Sequence, residues 1–217
     1  MDVQVDLRVA ELLCSRLCHE LVNPIGAVAN GVELIGELDG PADPEALALI
    51  GESARTAGAR LQFYRLAYGL ATGSKADLTL AEAGVLAESV LASNRVRLNL
   101  PAAGQENEQG LGARAAKLLL NLLILASESL PRGGRVALAF VPGGAEIAVT
   151  ISAEGERAGL GAEALKAFKG EAAVDSLTAR VAHAYFTGRV SARVELPVEV
   201  VESPGTVTFR LKLPEAH

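Results

Sequence analysis

The sequence predicts an α+β chain in two parts. An N-terminal helical hairpin forms half of a dimeric four-helix bundle, and an α/β sandwich follows it. Three observations carry this. Apolar or small residues recur in alternating steps of three and four from Leu7 to Leu38 and again from Leu47 to Tyr68, the seam of helices packed in a bundle. A short run holding Gly40, Pro41 and Pro44 separates the two stretches, which makes their helices antiparallel neighbours. From Leu78 onward helical and alternating patterns mix, as in a sheet with helices on one face.

Residues 4–38 read as one long helix. Its seam runs Leu7, Ala10, Cys14, Leu17, Leu21, Pro24, Val28, Gly31, Ile35 and Leu38, with Leu13, Ile25, Val32 and Leu34 widening the apolar face. With Leu17 and Leu21 on the seam, His19 falls at the position farthest from the core. Pro24 removes a backbone donor in mid-helix and should bend it. Asp43 caps a second helix over residues 44–71, with Pro44 in its first turn. Its seam is Leu47, Ile50, Ala54, Ala57, Leu61, Tyr64 and Tyr68. Two helices with such broad faces enclose no core alone, so a second copy of the hairpin across a twofold axis is the simplest completion. Cover by the C-terminal domain in a monomer is the other. Folding the hairpin about residue 41 sets His19 opposite Phe63. Between Glu52 and Asp77 stand Arg55, Arg60, Arg65 and Lys75 and no acidic residue, so the second helix is basic where it passes His19.

Thr72-Gly73-Ser74-Lys75 reads as a linker and divides the chain into a hairpin, 1–72, and a second domain, 78–217. That domain begins with a helix over 80–92 and a strand over 95–100. A polar loop over 102–112 leads to an apolar helix over 113–130, ended by Pro131 and Gly133-Gly134. Strands over 135–141 and 146–152 flank Pro142-Gly143-Gly144, a hairpin turn. Helices over 161–168 and 174–187 and strands over 190–196 and 206–213 complete it.

Half of the 217 residues are hydrophobic and 21% are charged, so the chain can bury a core. A formal net charge of −6 argues against a general nucleic-acid or anionic-membrane binder. No signal-peptide pattern opens the chain, and its longest apolar run, Leu118 to Ala126, is short and holds Asn121. A soluble cytoplasmic protein is expected. Cys14 and Cys18 lie one turn apart on one helix, a spacing that does not suit a disulfide. With His19 they lack further metal ligands at matching spacing, and Cys14 reads as a small core residue. Gly159-Leu160-Gly161-Ala162-Glu163-Ala164 loosely fits a dinucleotide turn, but the preceding strand ends too early and the sheet is largely antiparallel.

The chemistry concentrates in His19-Glu20-Leu21-Val22-Asn23-Pro24. Taken singly, His19, Glu20 and Asn23 are ordinary helix-surface residues. Together they resemble the phosphoacceptor box of two-component sensor histidine kinases. The resemblance implies that His19 takes phosphate on a ring nitrogen, that Glu20 orients and helps deprotonate the imidazole, and that Asn23 positions water or phosphate. Of the other histidines, His183 sits in an apolar helical stretch and is expected to be packed, and His217 is terminal.

The second domain resembles the ATP-binding domain of the same kinases. Leu119-Leu120-Asn121-Leu122-Leu123 through Pro131 looks like their N box, and the resemblance aligns their magnesium-coordinating asparagine with Leu125. Ala153-Glu154-Gly155-Glu156-Arg157 stands where their Asp-x-Gly-x-Gly box belongs, with Ala153 for the adenine-reading aspartate and Arg157 for the second glycine. Ser203 to Phe209 resembles their closing strand. The expected fold is a degenerate histidine-kinase ATPase-like α/β sandwich with its nucleotide site erased.

A kinase-like hairpin joined to such a domain is similar to the ChpT-type histidine phosphotransferases of alphaproteobacteria. Leu61-Gln62-Phe63-Tyr64-Arg65-Leu66-Ala67-Tyr68-Gly69 resembles their second-helix signature. The resemblance implies a homodimer that relays phosphate from the receiver domain of a hybrid histidine kinase to response regulators. This chain would bind no cofactor or metal of its own, and Mg²⁺ would come with the partner receiver. Around His19 the receiver should touch Arg16, Val22, Gly26 and Asn30 on the first helix and Arg55, Ala59 and Gln62 on the second. Two other readings stand beside this one. A non-catalytic kinase-like dimeric scaffold or inhibitor could bind a kinase or response regulator, and an active kinase could use an altered nucleotide site.

Overall fold

Short acidic side chains start both long helices. In the computed structural model, described for residues 6–37, 43–69, 78, 80–92, 95–100, 112–143 and 146–214, Asp6 accepts the Arg8 N–H at 2.9 Å and opens α1, Leu7–Gly36. Asp43 accepts the Glu45 N–H at 3.0 Å and opens α2, Pro44–Tyr68. Each satisfies an N–H that the first turn leaves unpaired. The two helices pack antiparallel. Gly31 allows the close approach, since a Cβ there would lie 2.5 Å from Ile50 Cγ1. Residues 39–42, the linker over 72–75 with the domain boundary placed there, the loop over 102–111 and His217 lie outside the described residues.

The C-terminal domain is a five-stranded sheet in the order β1-β2-β3-β5-β4. β1, Val96–Asn99, runs parallel to β2, Gly134–Pro142. β3, Glu146–Glu154, pairs antiparallel with β2 and with β5, Thr206–Pro214, and β4, Glu199–Ser203, closes the edge. Alternation decides which face is covered. Ile147, Val149, Ile151 and Ala153 of β3 and Val207, Phe209, Leu211 and Leu213 of β5 all point into the core. α3, Leu80–Leu91, and α5, Ala162–Phe168, lie with two longer helices, α4, Gly112–Glu128, and α6, Ala179–Val194.

α4, Gly112–Glu128, is the centre of the molecule. Every residue from Leu118 to Ser127 is buried, as befits a helix apolar on nearly all sides. It touches β2, β3 and β5 below and α2, α3 and α6 around it. α6, Ala179–Val194, packs on α4 and α5. Gly188 makes the second contact possible, because a Cβ there would lie 1.8 Å from the Phe168 carbonyl oxygen.

Two expectations need correction. Residues 190–196 are not a strand. α6 runs to Val194, because Thr187, Val190, Ser191 and Val194 fall on one inward face at helical spacing. Glu195 ends the helix in the left-handed region, and the strand follows at Glu199. Cys14 is not a core residue. It and Cys18 are both exposed, because the residues that α1 buries are Val9, Leu13 and Pro24. The predicted seam is left partly uncovered.

Candidate functional site

His19 is exposed on the outer face of α1, and no hydrogen bond reaches its ring from the described residues. Asn23, one turn on, is exposed, as are Val22 and Asn30. Between them Gly26 leaves open space, with nothing within 4 Å of where a Cβ would stand. Across the groove α2 presents Gln62 and Arg55 on its surface and Ala59 half-buried. Arg55 is paired with Glu52 of its own helix. Phe63, expected level with His19, is fully buried. The hairpin register, fixed by contacts of Arg60 with Glu20 and of Ile50 with Gly31, sets Gln62 nearer that level.

Glu20 does not reach the His19 ring. It is held from α2 instead, for a reason that begins with Pro24. Proline has no N–H, so the carbonyl four residues back, that of Glu20, loses its helical partner. Arg60 Nη1 donates to that carbonyl at 2.7 Å and lies 3.6 Å from Glu20 Oε2. One guanidinium thus satisfies an orphaned carbonyl and faces the carboxylate beside it.

Arg16 was expected to meet a partner and turns inward instead, its side chain 18% exposed. Its guanidinium pairs with Glu128 at the end of α4. The other Glu128 oxygen lies 3.1 Å from Nδ1 of His183 on α6, a fully buried ring. His183 Nε2 lies 3.2 Å from Asn121 Oδ1. The Asn121 amide donates to the carbonyls of Ala67 at 2.7 Å and Lys117 at 2.8 Å. That spends both its hydrogens, so Oδ1 is the acceptor toward His183. Lys117 Nζ donates to the Tyr68 and Gly69 carbonyls at 3.2 and 2.7 Å. The last carbonyls of α2, unpaired in an isolated helix, are thereby capped by α4. Arg8 adds a bond from α1 to the Leu177 carbonyl at 2.9 Å. Both hairpin helices are fastened to the C-terminal domain by polar groups, Asn121 and His183 among them fully buried.

These charges sustain one another. Burial would raise the Glu128 pKa, but His183 and Arg16, by charge and hydrogen bond, outweigh it and hold the carboxyl below its ordinary value. Burial would discharge Arg16, and Glu128 more than reverses this. On His183 burial pushes toward the neutral ring, against the pull of Glu128. Tyr64 is pushed up to about 12, by burial first and then by the Glu20 charge. Burial likewise raises Tyr68, which meets Phe186 of α6 edge-on, with ring centroids 5.5 Å apart.

Behind α1 lies a cleft of about 660 Å³, lined by Arg16 and Glu20, the end of α4, the loop at 159–161 and the starts of α5 and α6. This is where the sequence comparison with kinases set a nucleotide. Leu125 lines the cleft but is 1% exposed, and Ala153 is fully buried. Arg157, at the position of the second glycine, keeps a left-handed backbone with φ 59°, a conformation glycine adopts freely and other residues at some cost. The loop is tied to its own chain. The Gly155 N–H donates to the Gly205 carbonyl at 3.1 Å, that of Gly159 to Ser129 at 2.9 Å, and that of Leu160 to Glu202 Oε1 at 2.7 Å. Among the described residues no cluster of His, Cys, Asp or Glu could hold a metal, and no helix is long and apolar enough to cross a membrane.

Sequence reasoning gave the placement of His19 but missed both arginine contacts. Pro24 was a usable signal for Arg60, since a mid-helix proline always leaves a carbonyl to satisfy. No sequence signal joins Arg16 to Glu128, 112 positions away in the chain.

A family profile described as "Histidine phosphotransferase C-terminal domain" matches residues 80–205. The chain is 30% identical over 203 residues to the protein phosphotransferase ChpT of Brucella abortus (strain 2308), covering 94% of each. It also superposes on the solved structure of a bacterial phosphotransferase with a TM-score of 0.73 and 29% identity, covering 96% of this chain and 98% of the other.

Glu128→Ala leaves Arg16 and His183 buried without their shared anion, and should destabilise the fold by about 3 kcal/mol. Because the Glu128 pKa is depressed on folding, its contribution is complete above the unfolded carboxyl value, roughly 4.3. It is lost as pH falls through the lower folded value. Urea denaturation at neutral and acid pH checks both points, and Glu128→Gln should show a shallower acid loss than the parent.

Proposed function

The chain belongs to the ChpT-type family of histidine phosphotransferases, and on that premise we propose that His19 is the residue that carries the phosphoryl group. Its task in a phosphorelay is to accept that group from one receiver-domain aspartate and return it to another. A lone pair on a His19 ring nitrogen attacks phosphorus. The N–P bond forms as the P–O bond to the aspartate breaks, and the aspartate departs as carboxylate. Return to a second receiver reverses these steps. Charge in the transition state spreads over the equatorial oxygens, so alignment and cations dominate the rate. Mg²⁺ is brought by the receiver.

One observation carries the assignment. His19 has a free, exposed ring on a rigid helix, whereas His183 is fully buried with both nitrogens engaged. Val22, Gly26 and Asn30, with Asn23, form the α1 side of the receiver surface, and Arg55, Ala59 and Gln62 form the α2 side. Gly26 and Ala59 keep it shallow. Arg16 supports this surface from below, since its guanidinium is committed to Glu128. The donor is the receiver of a hybrid kinase, the acceptors are response regulators, and the setting is the cytoplasm.

A second copy of the hairpin completes the bundle. Leu7, Cys14, Cys18, Ile25 and Val32 on α1 and Leu47, Ala54 and Leu61 on α2 form exposed apolar lines at heptad spacing. Buried side by side, they make the four-helix core that one hairpin lacks. The second domain acts without ATP, because Leu125 and Ala153 offer neither a metal ligand nor a partner for the adenine amine.

His19→Gln should abolish acquisition of acid-labile label from a phosphorylated receiver while shifting stability by less than about 1 kcal/mol. Label on that variant would show the assignment to be wrong. Light scattering at micromolar concentration should return the mass of a dimer, and a monomer would refute the bundle. Calorimetric titration with Mg-ATP should give no heat of binding, and a micromolar dissociation constant would restore the kinase reading.

A further inference from the structure

Glu20 presents a problem for any phosphate acceptor at His19. An aspartyl phosphate approaches with close to two negative charges, and a carboxylate stands on the adjacent residue. Repulsion between them scales inversely with distance and with the local dielectric, and it grows as docking excludes water. Nothing on α1 offsets it, because Arg16 is spent on Glu128. Arg60 reaches over from α2. Its side chain is 13% exposed, and its Nη1 lies 3.6 Å from Glu20 Oε2 while bonded to the Glu20 carbonyl at 2.7 Å. The carbonyl bond holds the guanidinium in place, so it stays beside the carboxylate without paying the entropy of an exposed pair.

We propose that Arg60 is a positioning residue for phosphotransfer: it neutralises Glu20 and holds it on the α2 side, leaving the approach to His19 free of a bare negative charge. The proposal rests on His19 as acceptor. It separates two roles of Arg60 that the geometry combines, a hydrogen bond to a backbone carbonyl, which is structural, and compensation of a charge, which acts on the incoming phosphate.

The two are separable by a double-substitution cycle in the full chain, with a phosphorylated receiver as donor and the initial rate of labelling as readout. Arg60→Gln should lower kcat/KM about tenfold and make it rise more steeply with added salt, since screening relieves the repulsion. Glu20→Gln combined with Arg60→Gln lacks both charges and still lacks the carbonyl bond. Its rate should return to within about twofold of Glu20→Gln alone. If Arg60 only satisfies the carbonyl, the double variant is as slow relative to Glu20→Gln as Arg60→Gln is to the parent, and the proposal is overturned. It is equally overturned if Arg60→Gln transfers at the parent rate. Thermal melts of all three variants separate loss of fold from loss of rate. His19→Gln run alongside keeps the failures apart: label on that variant refutes the acceptor, whatever the cycle returns.

Discussion

The buried contact of Arg16 with Glu128 and His183 holds the two parts of the molecule in one arrangement. A carboxylate at the end of α4 takes a cation from the hairpin and a ring from α6. The same ring leans on Asn121, which closes the end of α2 through the Ala67 carbonyl. Three helices of different origin therefore meet on one anion. A buried pair of this kind is weak evidence for net stability, since an apolar replacement can serve as well. In this arrangement Arg16, His183 and Asn121 are all partnered at once.

That arrangement sorts the faces of α1. One, with Val9, Leu13 and Arg16, is taken by the C-terminal domain. Another, with Cys14, Ile25 and Val32, is apolar and uncovered among the described residues. The third carries His19 and Asn23 into solvent. Rotation of α1 would break the packing of the first face. The orientation of His19 is thus set by the packing of Val9, Leu13 and Arg16 on another face of the helix.

Much of this was legible in the sequence, and the residues show why. The exposure of His19 follows from 3.6-residue periodicity alone, and the strand β3 from strict alternation at Ile147, Val149 and Ile151. Val190-Ser191-Ala192-Arg193-Val194 deceived because Val190 and Val194 lie one helical turn apart and also fit a period of two. Only the packing of α6 on α5 decides between them. Arg16 read as a surface cation because its partner lies in another part of the chain, and local pattern carries no long-range pairing. Cys14 read as core because it falls on the apolar repeat, but among the described residues nothing covers it. Arg60 reads in the sequence as one of the basic residues passing His19, whereas the carbonyl freed by Pro24 takes its guanidinium.

The loop after β3 has a thermodynamic consequence. A loop that is ordered by its ligand draws stability from it by mass action, about 2.7 kcal/mol when the ligand stands at a hundred times its dissociation constant. Here the backbone from Gly155 to Leu160 is anchored to Gly205, Ser129 and Glu202 of the same chain, and Arg157 holds the left-handed turn that glycine would hold at less cost. The order of this segment is intrinsic. On the reading given above, neither the fold nor the relay it supports varies with the energy state of the cell, and phosphate flux through the chain reports only on the receivers that dock to it.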